Sequence, residues 1–411
     1  MTDHPLDAIF DRFLTSPSIF KNHEVLRPSH IPDNLPHRDF EIQFLGKALG
    51  NALRDNRPSN IFLYGKTGTG KTIVSKYVTK YLRQKAAAIG KNIILSILNC
   101  VEVDTDYRVL ARLCDVVGES VPFTGLPTDE VFSRFKAKLD SKKQLLIVVF
   151  DELDKLHHKS GDNVLYQLTR INTDLKRAQV SLVCITNDLS FKETLDPRVR
   201  SSLSEEELVF KPYNSLQLED ILGERSVEGF NDGVLTEGVI SLCAALAAQE
   251  HGDARRALDL LRVAAEIAER ENESKVLQNH VRKASKQIEK NTIQEALISL
   301  PVQTKLVLWG VYVLEKSALK IITTGDLYKV YLELCKTISL DPITPRRANS
   351  LLNELSMLGV VNTKVVSMGR YGRTTKVSLS VSPREVRNIL CEDFHIKKVS
   401  DFDADLVLER D

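Results

Sequence analysis

Asn60-Ile61-Phe62-Leu63-Tyr64-Gly65-Lys66-Thr67-Gly68-Thr69-Gly70-Lys71-Thr72 is the stretch from which the fold can be read. Its first five residues form a short apolar run of the kind that makes a buried strand, and residues 72–87 carry helical periodicity. Between them, Gly65 to Thr72 fits G-x-x-x-x-G-K-[ST], in the strand-then-helix setting that this phosphate-binding loop requires. Glycine lets consecutive backbone N–H groups converge on phosphate oxygens, and the following helix adds its positive N-terminal end. Gly65, Lys66, Thr67, Gly68, Thr69 and Gly70 are therefore the expected cradle for ATP or ADP. Lys71 is expected at the β- and γ-phosphates and Thr72 at Mg²⁺.

Further strands are expected over 92–98, 145–150 and 181–186, separated by helical stretches, which indicates a parallel sheet with helices on both faces over residues 38–211. The run Leu145 to Phe150 ends in Asp151-Glu152, placing two carboxylates at the C-terminal edge of the sheet beside the loop. Asp151 suits metal coordination and Glu152 suits activation of the attacking water. Just past the fourth strand, Asn187 carries an amide able to hold that water or the γ-phosphate; an ordinary turn residue is the alternative. Arg198 and Arg200 sit in Asp196-Pro197-Arg198-Val199-Arg200-Ser201, able to reach a neighbour's nucleotide or to form a solvated basic turn.

Before this region, residues 1–37 hold Pro17, Pro28, Pro32 and Pro36, so an irregular, wrapped segment is expected there. After Pro212 the pattern turns wholly helical, over 216–225, 236–248 and 253–270, defining a small helical domain over 212–292. Residues 293–395 read as helices at 302–317, 324–339 and 344–358, then two strands, 360–367 and 374–381, around a glycine-containing turn. Three helices and a hairpin make a winged helix. Thr344 and Pro345 suit the N-cap and first position of its third helix. Arg346, Arg347 and Asn349 then lie where a recognition helix meets DNA bases, with Leu351, Leu352, Leu355 and Leu358 as the buried stripe. Arg370, Tyr371 and Arg373 occupy the wing, suited to a minor groove or to phosphates. Protein interaction is the other use of such a domain. Residues 396–411 read as an acidic tail.

The 411 residues call for two or three domains. Net charge is only +1, but residues 301–390 hold thirteen Lys or Arg against six Asp or Glu, a local basic surplus. Six scattered cysteines with no C-x-x-C pair read as reduced, buried thiols. With no run of 18 apolar residues and no secretory signal, the expectation is a cytoplasmic, nucleoid-associated protein with no membrane partner.

Together these residues resemble the AAA+ ATPases, and more narrowly the archaeal replication initiators related to eukaryotic origin recognition and cell division control proteins. The resemblance covers nearly the whole chain. It implies an α/β P-loop AAA+ domain, a helical lid and a C-terminal winged helix. It implies that Leu35-Pro36-His37-Arg38 helps enclose the adenine, that Asn187 is sensor 1 and that Arg198 is the arginine finger. Tyr213 and Arg225 resemble the lid entry that approaches the nucleotide. Gly252-Asp253-Ala254-Arg255 resembles sensor 2, with Arg255 reaching the γ-phosphate; a helix start with Arg255 paired to Asp259 is the alternative. The family's DNA-touching insert matches Val103 to Arg112, where Arg108 and Arg112 share one helix face, or simply a solvated one. One departure stands out: the second arginine that some relatives carry four residues after the finger is Ser202 here.

The expected function is an initiator that binds double-stranded origin DNA as an ATP/ADP switch, hydrolyses ATP slowly and helps load the replicative helicase, with sibling initiator subunits as partners. Two other classes stay open: a nucleotide-bound transcription regulator and a clamp-loader-like motor. Turnover rate separates the motor, and footprinting separates origin from promoter.

Overall fold

The apolar runs of the first half assemble into one parallel sheet in the computed structural model, which describes residues 18–28, 30–122, 124–203, 205–317, 322–367 and 373–402. Its strands are β1 (Ile61–Tyr64), β2 (Ile93–Asn99), β3 (Leu145–Asp151), β4 (Gln179–Thr186) and β5 (Glu206–Val209), in the order β2-β3-β4-β1-β5. Alternate residues feed two cores. Phe62, Leu146, Val148, Phe150, Leu182 and Cys184 face one core, and Ile61, Leu63, Ile147, Val149, Val183 and Ile185 face the other. Central strands buried on both sides explain why β3 and β4 read as nearly unbroken apolar runs. β5 is not among the strands expected from the sequence, because an edge strand is wet on one face and Glu206-Glu207-Leu208-Val209 lacks the apolar signature.

Helices α1 (Asp39–Gly50), α2 (Lys71–Ala88), α3 (Asp106–Val117), α4 (Thr128–Leu139), α5 (Leu153–Ser160), α6 (Asn163–Arg170), α7 (Phe191–Thr194) and α8 (Pro197–Leu203) cover the two faces and the strand ends. The register β1–β4 pairs Tyr64 with Thr186, so the phosphate loop and the turn carrying Asn187 leave the sheet side by side. Within the Val103 to Arg112 stretch the insert helix α3 starts at Asp106, because Thr105 caps it by accepting from Arg108 N. Helices α9 (Ser215–Gly229), α10 (Val239–Gln249) and α11 (Ala254–Glu271) form the helical part that follows, its entry fixed by a capping box between Asn214 and Gln217. The chain divides into two compact units, Met1–Ala284 and Ser285–Asp411, inside the long helix α12 (Gln278–Ser299).

The second unit holds α13 (Val302–Lys316), β6 (Ile322–Thr323), α14 (Thr324–Thr337), α15 (Pro345–Met357), β7 (Val361–Ser367), β8 (Arg373–Leu379), α16 (Pro383–Leu390) and α17 (Phe394–Lys397). Its antiparallel sheet runs β6-β8-β7 against the three helices, a winged helix as expected. Thr344 caps α15 with Pro345 at its first position. Leu351, Leu352 and Leu355 are buried, but Leu358, expected in the same stripe, lies past the helix end and is 49% exposed. The tail expected from residue 396 begins inside the core: Ile396 and Val399 are buried, and Trp309 Nε1 donates to Val399 O at 3.1 Å. Two apolar residues set among charged neighbours gave composition nothing to detect. Among the described residues no single helix is long and apolar enough to cross a membrane.

Candidate functional site

One cavity in the first unit is lined by Gly68, Thr69, Gly70, Lys71 and Thr72 of the loop, by Asp151, Glu152 and Asn187 from the sheet edge, and by Tyr213, Arg225 and Arg255 from the helical part. The loop can turn this tightly only with glycine. A Cβ on Gly65 would meet Phe210 O at 2.6 Å, one on Gly68 would meet Asp253 Oδ1 at 1.7 Å, and one on Gly70 would meet Tyr213 Oη at 2.8 Å. All three also carry positive φ. Gly65, Lys66 and Thr67 are not part of the wall: Gly65 is buried, and Lys66 and Thr67 are exposed.

Lys71 opens α2 and is 4% exposed, its Nζ donating to Gly65 O and Lys66 O at 2.6 Å each. Burial lowers its pKa to about 8, opposed by Asp151 and reinforced by Arg255. A buried ammonium whose hydrogen-bond partners are neutral carbonyls fits a polyanion, whose charge would raise that pKa again. Thr72 Oγ1 donates to Asp151 Oδ2 at 2.9 Å and Oδ1 at 3.1 Å. A hydroxyl beside a carboxylate is the pair of protein oxygens that Mg²⁺ takes when its other ligands are water and phosphate. Among the described residues no cluster of three or more His, Cys, Asp or Glu offers a metal site made by protein alone.

Glu152 sits at φ 56°, ψ 47°, a left-handed conformation, at the N-cap of α5. That backbone is unfavourable for a residue with a Cβ, and such strain concentrates at functional positions. Arg255 is on the cavity wall near Lys71. The alternative pairing with Asp259 is not made, because Asp259 accepts from Arg262 Nη2 at 3.0 Å. Asp253 caps α11 by accepting from Arg255 N and Arg256 N, and Ala254 N donates to Gly68 O at 3.2 Å, so the start of this helix rests on the loop tip. Tyr213 is 6% exposed and Arg225 7%; burial raises the pKa of the first and lowers that of the second.

Arg38 is not on the cavity wall. Its Nε donates to Thr69 O (2.9 Å), its Nη2 to Lys211 O (2.7 Å) and its Nη1 to Glu41 Oε1 (3.2 Å), and its guanidinium carbon stands 3.8 Å from the Tyr213 ring centroid. It bolts the loop to the entry of the helical part, behind the cavity it was expected to line. Leu35 and Pro36 do line it, together with Arg27, Pro28, His30, Ile31 and Pro32, for which the sequence predicts no role at the nucleotide. Their only sequence signal was the prolines, which imply a wrapped segment without saying what it wraps. Lys76, Ile221, Glu224, Glu228 and Leu258 also line it, unannounced by any motif.

Arg198 is placed away from this cavity: it grips Asp196 through Nε and Nη2 and lies 5.0 Å from the Tyr166 ring centroid, with its side chain 64% exposed. Arg108 pairs with Asp104 at 3.0 Å and Arg112 is exposed on the same helix. Arg346, Arg347 and Asn349 are exposed at the start of α15, Arg347 within 3.6 Å of Glu354. Arg373 opens β8 opposite Ser367, and Arg370 and Tyr371 lie outside the described residues.

Three family models match the chain: an AAA ATPase domain over residues 34–183, a Cdc6 AAA+ ATPase-type lid domain over 219–286, and a CDC6 C-terminal winged helix domain over 295–389. The chain is 52% identical over 403 residues to the ORC1-type DNA replication protein of Thermococcus onnurineus (strain NA1), with 97% of each chain covered. It is 53% identical over 403 residues to ORC1-type DNA replication protein 1 of Methanosarcina mazei, again with 97% of each covered. The Aeropyrum pernix ORC1 protein, solved in complex with DNA, superposes with a TM-score of 0.83 at 46% identity, over 93% of this chain and 99% of that one. A full-length match of this strength, with a phosphate loop, a lid and a winged helix in the same order, makes the chain a member of the archaeal ORC1-type DNA replication proteins, within the AAA+ ATPases.

Proposed function

We propose that the protein binds origin DNA in a state set by ATP or ADP, hydrolyses ATP slowly, and helps load the replicative helicase. The observation that carries this reading is the convergence of Lys71, Asp151, Glu152 and Asn187 with Tyr213, Arg225 and Arg255 on one cavity. Residues from two layers that face one ligand can be brought to different angles by two forms of it, which is what a switch needs. Membership of the ORC1-type proteins supports replication initiation over a promoter role, and the DNA-bound Aeropyrum pernix relative supports contact with duplex DNA.

In this reading the loop N–H groups and Lys71 hold the terminal phosphates. Thr72 and Asp151 would hold Mg²⁺, which would supply charge neutralisation at the phosphate oxygens. Glu152 takes the proton of the attacking water, which the Asn187 amide orients. Arg255 senses the γ-phosphate from the lid side, and Arg198 is offered outward, toward a neighbouring copy's nucleotide. Arg346, Arg347 and Asn349 read bases, while Arg370, Tyr371 and Arg373 follow the backbone or minor groove, with Arg108 and Arg112 as a second contact. Footprinting on chromosomal fragments tests the assignment. Protection at an origin, altered between ATP and ADP, is the expected result; protection confined to promoters, or turnover at ordinary motor rates of about 10 per second or more, would replace it with one of the other two classes.

A further inference from the structure

Two residues away from Glu152, and one away from Asn187, lie side chains that no motif accounts for. Asp154, on the first turn of α5, is 7% exposed, and Thr186, the last residue of β4, is fully buried. Thr186 Oγ1 donates to Asp154 Oδ1 at 3.1 Å and accepts from Asp188 N at 3.1 Å. The same hydroxyl therefore closes the turn around Asn187 and ties that turn to the helix whose N-cap is Glu152. The backbone pairing of Tyr64 with Thr186 sets this link beside the start of the phosphate loop. A carboxylate buried to this degree is retained only with partners: Lys155 Nζ lies 3.9 Å from Oδ2, and the hydrogen bond to Oδ1 comes from the hydroxyl that fixes the Asn187 turn.

We infer that Asp154 and Thr186 are positioning residues for ATP hydrolysis, a hydrogen-bonded latch that sets the Asn187 amide against the Glu152 carboxylate. The inference rests on the hydrolytic reading of the site. Neither residue lines the nucleotide cavity, so the latch acts on the geometry of the water-handling pair and not on nucleotide binding. An error of about an ångström in that geometry is enough to cost on the order of a hundredfold in rate.

The test measures Mg-ATP affinity by equilibrium dialysis and hydrolysis under single-turnover conditions on the full chain. Thr186→Val, which removes the hydroxyl at nearly constant shape, and Asp154→Leu, which removes the acceptor, are expected to slow the single-turnover rate by about 10- to 100-fold, with ATP affinity within about twofold of wild type. Thr186→Ser and Asp154→Asn keep a donor and an acceptor and are expected to restore most of that rate. The Thr186→Val/Asp154→Leu double variant should be no slower than the worse single, because both remove one link. Parallel loss of affinity and rate, additive losses, or failure of both conservative variants to restore the rate would overturn the latch. Thermal melts of Thr186→Val, the mildest change, separate misfolding from mispositioning: a rate loss that tracks a lowered melting temperature also overturns it. A wild-type chain that binds ATP but shows no turnover that Glu152→Gln removes would overturn the hydrolytic reading instead.

Discussion

Glu152 is held at φ 56°, ψ 47°, and substitution there should separate stability from catalysis in opposite directions. A side chain in the left-handed region costs roughly 1–2 kcal/mol, and glycine escapes that cost while losing roughly 0.5–1 kcal/mol of chain entropy on folding. The balance favours Glu152→Gly by about 0.5–1 kcal/mol, a rise in melting temperature of about 1–3 °C for a unit of this size. Glu152→Ala keeps the Cβ and hence the strain, so it should melt close to wild type. Glu152→Gln keeps both strain and shape. All three should bind ATP and lose about 10²- to 10⁴-fold in turnover, because a general base acts on water and not on the phosphates. Melts of the four proteins in one buffer, with and without saturating ATP, give the stability order, and a phosphate-release assay gives the rates. A glycine variant that melts below the alanine variant would refute the strain assignment. Turnover within about threefold of wild type in all three variants would refute the base assignment.

Lys71→Ala should abolish tight ATP binding, checked by equilibrium dialysis, since no other loop side chain brings a positive charge to the terminal phosphates. ATP affinity should also fall as pH rises through about 8, because the nucleotide-free protein then gives up the Lys71 proton that the bound polyanion requires. Stability changes in the opposite direction: the unfolded chain keeps that proton up to its ordinary pKa of 10.5, so the cost of burying this charge in the nucleotide-free fold is relieved progressively between about pH 8 and 10.5. Calorimetry across that range, with Lys71→Arg as a control that stays charged, checks both. Gly68→Ala should detach the start of α11 from the loop, because the added Cβ falls 1.7 Å from Asp253 Oδ1; weaker ATP binding and faster proteolysis of the lid are the expected readouts. Replacing Arg370 and Arg373 together should flatten the salt dependence of DNA affinity by roughly one to two units of slope, whereas Arg346 or Arg347 substitutions should cost about 1–3 kcal/mol on the preferred site and much less on random duplex. Binding curves at several salt concentrations on an origin fragment and a scrambled duplex distinguish the two behaviours.

The parts of this protein whose physics is local are legible in its amino-acid sequence. Phosphate binding by a loop needs glycines at fixed spacing between a strand and a helix, so Gly65 to Thr72 stands out unaided. A strand buried on both faces must be continuously apolar, so β3 announced itself and placed Asp151 and Glu152 at its end. Thr344-Pro345 marked the start of α15 because capping is a matter of adjacent residues. Relations between distant segments emerge only once the chain is folded. Arg27, Pro28 and the stretch from His30 to Pro36 supply a wall of the nucleotide cavity, Arg38 bolts the loop to the entry of the helical part, and Asp253 rests against Gly68 across 185 positions of chain. The acid at 154 meets the hydroxyl at 186 only because α5 packs on β4. No local pattern encodes such pairs, since each partner alone is an unremarked arginine, aspartate or threonine. Burial, which turns them into obligatory partners, is a property of the assembled fold.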